Sequence, residues 1–125
     1  MSDKKTILVA EDDAEYLDLI DYALKADGYE VVACSDGQKA LNWAMSSRPD
    51  LVLTDVRMPE LDGYHFAQAL GDKYGAECPK ILIMTSRDVQ REKGVAMLSG
   101  AAAIIQKPFK LSALKSKISE LLAAS

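Results

Sequence analysis

Five residues spread along almost the whole chain carry the groups needed for phosphoryl chemistry. They are the neighbouring acids Glu11 and Asp12, the aspartate Asp55, the hydroxyl of Thr85 and the ammonium of Lys107. Three carboxylates in one crevice repel one another, a pair about 4 Å apart by on the order of 4 kcal/mol at an effective dielectric near 20. Cations are therefore required. Lys107 supplies one, and a divalent metal is the natural second, with oxygen-only ligands favouring Mg²⁺ or Mn²⁺ over zinc. Magnesium held by one or two carboxylates keeps positions for water and for a phosphate oxygen. Thr85 can donate to one phosphoryl oxygen and Lys107 can neutralise another. A carboxylate can itself be the nucleophile, forming an aspartyl phosphate. Asp55 stands alone, whereas Glu11 and Asp12 come as a pair suited to metal holding, so Asp55 is the candidate for that role.

This set is useful only if the fold gathers it. Leu51-Val52-Leu53-Thr54-Asp55 is a short apolar run preceded by Pro49-Asp50 and closed by Pro59, which reads as a strand buried on both faces and ending at Asp55. Comparable runs at 6–10, 29–33, 80–84 and 101–105 read as four further strands. Helical spacing of apolar residues separates them: Leu17, Ile20, Ala23 and Leu24 before Gly28; Ala40, Leu41 and Ala44 up to about Ser47. A third helix opens after Leu61-Asp62-Gly63, carries Phe66, Ala69 and Leu70, and is expected to fray toward Gly71 and Gly75. A fourth spans Asp88 to about Leu98, and a fifth carries Leu111, Leu114, Ile118, Leu121 and Leu122. Strict β-α alternation with continuous apolar strands implies an α/β fold with an open, doubly wound parallel sheet, since five pairs are too few for a closed barrel. In such sheets the carboxyl ends of the strands share one edge, where ligands bind. Glu11, Asp12, Asp55, Thr85 and Lys107 each lie just past a strand's last apolar residue, so this topology collects them into one crevice.

Composition narrows the function classes. The 125 residues fit one domain, here expected to span 1–125 without linker or repeat. A net charge of −4 disfavours a general nucleic-acid surface. Cys34 and Cys78 have no metal-ligand spacing and read as reduced thiols. The polar start and short apolar runs predict neither signal peptide nor membrane span, hence a soluble cytoplasmic protein. No glycine-rich GxxxxGK or GxGxxG phosphate loop is present, nor a Ser-His-Asp set. The single histidine, His65, reads as a partly exposed helix residue.

Taken together, these residues resemble the receiver domain of bacterial two-component response regulators, over the whole chain. The acidic pair Glu11-Asp12, followed by Asp13, matches the first motif. Asp55 with Met58-Pro59-Glu60-Leu61-Asp62-Gly63 matches the phosphoacceptor and its loop, Thr85 the hydroxyl residue, and Lys107-Pro108-Phe109 the Lys-Pro pair. The resemblance implies a flavodoxin-like (βα)5 sheet of order 2-1-3-4-5. It implies that Asp55 accepts a phosphoryl group from a histidine kinase or phosphotransfer protein. Asp12 would bind Mg²⁺ directly, Glu11 largely through water, and the Arg57 backbone carbonyl would complete the ligands. Lys107 would contact the phosphoryl group, with a cis Lys107-Pro108 bond. Thr85 would move toward the phosphoryl oxygen and alter the face of the fourth helix, fifth strand and fifth helix, where a downstream protein binds; membranes and nucleic acid are not expected as direct partners. The domain would assist its own phosphorylation and dephosphorylation without being an enzyme.

Two features depart from the family pattern. Ile104 stands three residues before the lysine, where an aromatic is usual, so output uses another surface or a weaker coupling. Arg57 and Arg87 each follow a site residue by two and flank the entrance, as solvated loop residues or as charges that draw an anionic donor. A phosphorylation-independent interaction module and an aspartyl-phosphate phosphohydrolase are the alternative functions. Against the hydrolase stand the lack of a substrate cap and of a second acid two residues after Asp55. Trp43, Met84 and Met97 are expected to pack inward, and Tyr64 and Tyr74 to be amphipathic surface residues.

Overall fold

Alternation of apolar residues along each strand decides how the layers assemble. In the computed structural model, which describes residues 4–124, β1 is Thr6–Ala10, β2 Glu30–Cys34, β3 Leu51–Asp55, β4 Lys80–Thr85 and β5 Ala103–Gln106. All pair in parallel in the order β2-β1-β3-β4-β5. Successive side chains leave a strand on opposite faces. Ile7, Val9, Leu51, Leu53, Leu82 and Met84 therefore pack on one face, with Leu17, Ile20 and Leu24 of α1 (Ala14–Ala26) and Leu114 and Ile118 of α5 (Leu111–Ala123). Leu8, Ala10, Val52, Ile81 and Ile83 meet the other helices, α2 (Gly37–Ser46), α3 (Gly63–Tyr74) and α4 (Val89–Leu98), on the opposite face. The expected sheet order and two-sided cover are both present.

Sequence boundaries shift by a residue or two, and some expectations fail for local reasons. The third helix does not stop at Gly71. It runs to Tyr74 and ends at Gly75, the second of the two expected positions, before a 3₁₀ turn over Gly75–Glu77, and the Tyr74 hydroxyl donates to the carbonyl of Ser47 at the end of α2 at 3.1 Å. Tyr74 is thus a bridge between helices rather than a surface residue. Met84 is fully buried, but Met97 is 55 % exposed. The helix α4 turns only Ala96 into the core, and the next residue, rotated by about 100°, points to solvent. Trp43 packs against the α2–α3 cluster as expected.

Capping aligns the helices with the strand ends. Asp13 caps α1 through Glu15 N and Tyr16 N, Asp36 caps α2, Asp62 caps α3 and Asp88 caps α4. Each of these helices begins at the edge of the sheet where the candidate residues lie.

Candidate functional site

The carboxyl ends of β1, β3 and β5 bring Glu11, Asp55 and Lys107 into contact. The Lys107 ammonium donates to Glu11 Oε1 in a very short contact and to Asp55 Oδ2 at 3.0 Å. The other oxygens are held by backbone amides, Asp55 Oδ1 by Val56 N–H at 2.8 Å and Glu11 Oε2 by Asp13 N–H at 3.1 Å. Glu11 is fully buried, whereas the Asp55 side chain is 13 % exposed. Asp12 is exposed at the mouth. One carboxylate oxygen from each of Glu11, Asp12 and Asp55 lies within 4.8 Å of the others.

Electrostatics follow this placement. Burial pushes the Glu11 carboxyl above its ordinary range; the Lys107 hydrogen bond and the Asp13 amide oppose the rise, while the Asp55 charge adds to it. Burial by itself lowers the Lys107 ammonium, but hydrogen bonds to Glu11 and Asp55 and their charges outweigh it and hold the pKa above the usual lysine value. Lys107 is thus locked in its charged form between two acids.

Thr85 is buried at the end of β4, whose residue Met84 pairs with Asp55. Its hydroxyl accepts from the Arg87 amide at 3.0 Å, and its carbonyl accepts from Lys107 N–H at 2.7 Å, so its contact with the lysine runs through the backbone. Lys107-Pro108 is cis, as the resemblance implied. Arg57 and Arg87 both line the cleft beside Asp12, a space of about 450 Å³ that also takes in Met58, Asp62 and Tyr64. His65 is exposed and only pairs with Asp62, Nδ1 to Oδ2 at 2.9 Å.

One supporting residue, Tyr16, escaped the sequence reading, and two that it named, Gly63 and Tyr64, make contacts it did not show. Tyr16, four positions after Asp12 in the first turn of α1, lays its ring 4.5 Å from the Lys107 ammonium and meets Phe109 edge-on at 5.6 Å. An aromatic in that turn was the available signal. Gly63 backs the end of β3: its amide donates to the Val56 carbonyl at 2.8 Å, and a Cβ there would lie 2.2 Å from the Asp55 carbonyl. Tyr64 is a partly buried residue, contrary to the surface expectation, and its hydroxyl donates to Glu92 Oε1 at 2.7 Å. Burial first, and then that hydrogen bond, hold its phenol well above the usual tyrosine range. Only three-dimensional proximity, across 28 residues, pairs it with Glu92.

The donor set fits a hard divalent cation. All three clustered groups are carboxylates, they lie close enough to share one ion, and Lys107 alone cannot neutralise them. Residues 7–119 match the family model described as the response regulator receiver domain. The chain belongs to that family.

Among related receiver proteins, the alkaline phosphatase synthesis transcriptional regulatory protein PhoP of Bacillus subtilis is 32 % identical over 121 residues, covering 97 % of this chain and 50 % of that protein. The chain spans about half the length of the curated relatives it matches. The receiver domain of sensor histidine kinase PA1611 from Pseudomonas aeruginosa, solved with a magnesium ion in its active-site cleft, superposes with a TM-score of 0.87 at 27 % identity, covering 96 % of this chain and 98 % of that one. A chain in the complex of the Saccharomyces cerevisiae phosphotransfer protein Ypd1 with the receiver domain of Ssk1 superposes with a TM-score of 0.90 at 25 % identity, covering 96 % and 90 %. The flavodoxin-like receiver fold and its membership of two-component signalling are therefore established for this chain. Among the described residues no helix is long and apolar enough to cross a membrane.

Proposed function

We propose that residues 1–125 form a single receiver domain in which Asp55 is the phosphoacceptor. The observation that carries this reading is the setting of Asp55, where one oxygen is bound by Lys107 and the other by a backbone amide, beside two further acids that can share a cation with it. The donor is the phosphohistidine of a histidine kinase or phosphotransfer protein, or a small acyl phosphate. An Asp55 carboxylate oxygen attacks phosphorus and forms a P–O bond. The bond to the leaving group breaks, and its electron pair departs with the imidazole or with acetate.

Glu11, Asp12 and Asp55 with the Arg57 backbone carbonyl would hold Mg²⁺, or Mn²⁺ in its place. When bound, the ion neutralises charge on the phosphoryl oxygens and on the acid cluster. Lys107 holds the attacking carboxylate and then pairs with a phosphoryl oxygen. Thr85 gives up its contact with the Arg87 amide and donates to another. Its movement carries the β4–α4 loop and the α4–β5–α5 face toward a second arrangement that a downstream protein reads. Ile104, half-buried on β5, has no ring or hydroxyl with which to report that movement. The chain thus acts as a cytoplasmic phosphoacceptor that assists its own phosphorylation and dephosphorylation, not as a turnover enzyme, and contacts neither membrane nor nucleic acid directly.

Incubation with acetyl phosphate and Mg²⁺, followed by intact mass measurement, tests the assignment. One added phosphoryl group, lost in Asp55→Asn and after chelation of the metal, is the expected result. Addition that persists in Asp55→Asn would move the acceptor elsewhere, and no addition at all would favour a phosphorylation-independent interaction module.

A further inference from the structure

One polar cluster beside the cleft has no part in the chemistry described above. Glu92 of α4 receives two donors on the same oxygen, Oε1: the Tyr64 hydroxyl of α3 at 2.7 Å and Arg87 Nη1 at 3.4 Å. The two donors differ in freedom. The Glu92 side chain is only 13 % exposed, whereas that of Arg87 is 46 % exposed, so the carboxylate is fixed and the guanidinium can leave it. Both Arg87 and Tyr64 also line the cleft that holds Asp12. The Arg87 amide is bonded to the Thr85 hydroxyl, which joins the same residue to the site by its backbone.

The helix these residues hold is loosely anchored. Among its residues only Ala96 is buried, and Val95, Met97 and Leu98 are exposed. With so little apolar surface in the core, a charge-assisted hydrogen bond is a large share of what positions α4. The Tyr64–Glu92 bond is such a tie, and it runs directly from α3 to α4.

We propose that Glu92, held by Tyr64, keeps Arg87 as a reserve cation for an anionic group on Asp55, so that charging the cleft draws Arg87 across and breaks the contact that fastens the loop before α4 to the helix itself. The inference rests on the assignment of Asp55 as phosphoacceptor. A doubly negative phosphoryl group competes with a single carboxylate for one guanidinium, and it presents planar pairs of oxygens that suit an arginine fork. Once Arg87 leaves, Glu92 keeps only its bond to Tyr64, and the loop that opens α4 is free to shift with Thr85. In a chain whose residue 104 is aliphatic, this gives the site a route to α4 that does not pass through β5.

Beryllofluoride with Mg²⁺, a mimic of a phosphoryl group on a carboxylate, provides the test, with its Kd measured by calorimetry and α4 followed by amide hydrogen exchange. Glu92→Gln keeps the shape and can still accept from Tyr64 but releases Arg87; it should bind the probe about three- to tenfold more tightly, the ratio expected for exchanging one partly exposed charged contact. Arg87→Ala should bind it more weakly by a similar factor, and Glu92→Gln added to Arg87→Ala should bring no further gain. Exchange of the Val89–Leu98 amides should quicken when the wild-type protein takes up the probe, and Arg87→Ala should show that quickening without it. Equal Kd values for wild type and Glu92→Gln, an undiminished Glu92→Gln effect in Arg87→Ala, or α4 exchange indifferent to the probe would each overturn the proposal. Failure of the wild-type protein to bind beryllofluoride at all would instead strike at the Asp55 assignment beneath it.

Discussion

Replacing Lys107 with methionine keeps an unbranched apolar stem and removes the only ammonium in contact with the acid cluster among the described residues. What remains is a fully buried Glu11 facing Asp55 and Asp12, with oxygens within 4.8 Å of one another. At that separation and an effective dielectric near 20, each like-charged pair costs about 3.5 kcal/mol before relaxation. Asp12 is exposed and screened, and Glu11 can escape by taking a proton, so the net loss of stability without metal should be about 2–3 kcal/mol near neutral pH. The pH dependence has a definite sign. A carboxyl whose folded pKa lies above its unfolded value favours the folded state at low pH, and that advantage is lost as pH rises through the folded value. Glu11 is already raised by burial against the opposing pull of Lys107. Without Lys107 it rises further, so the deficit of Lys107→Met should be larger at about pH 7.5 than at about pH 5. Urea denaturation of both proteins in EDTA at the two pH values measures this, with equal slopes required for a like-for-like comparison. A deficit that is absent, or that is the same at both pH values, would refute the electrostatic account.

Other perturbations test neighbouring parts of the site. Gly63→Ala would drive a methyl group to within 2.2 Å of the Asp55 carbonyl, so it should cost about 1–3 kcal/mol in urea melts and loosen the loop from Val56 onward. Asp12→Ala, which removes an exposed member of the repelling trio, should leave the metal-free protein equally or slightly more stable while weakening Mg²⁺ binding; calorimetric titration separates the two effects. For the wild type, Mg²⁺ at 100 times its Kd should add about 2.7 kcal/mol of stability by linkage, seen as a rise in Tm that EDTA reverses. Burial alone would raise Asp62, but hydrogen bonds from the His65 amide and ring prevail and lower it, so its capping contribution is present above the ordinary aspartate value and lost as pH falls through the lowered one. Asp62→Ala should accordingly destabilise α3 by about 1 kcal/mol near neutral pH and lose that effect in acid.

Much of the fold was legible because its signals are local. Parallel strands covered on both faces need continuous apolar runs, and their helices need apolar residues every three or four positions, so element order and fold class follow from residue types alone. Site residues were legible for the same reason, since each lies at the end of such a run. Tyr64, Tyr74 and Met97 were misread because their surroundings come from elsewhere in the chain. Tyr74 is half-buried with its hydroxyl donating to Ser47 at the end of α2, Tyr64 is half-buried and donates to Glu92 of α4, and Met97 is left exposed because α4 needs only one small residue against the sheet.

From sequence alone came the five-pair α/β architecture and the convergence of Glu11, Asp12, Asp55, Thr85 and Lys107 at one sheet edge, because strand polarity and apolar period are properties of short segments. Tertiary structure decided what each group touches. Lys107 bridges Glu11 and Asp55 under the ring of Tyr16, the Thr85 hydroxyl is held by the Arg87 amide, and Arg87 shares a Glu92 oxygen with Tyr64. Those contacts depend on distances between elements far apart in the chain, which are set only when the helices close over the sheet.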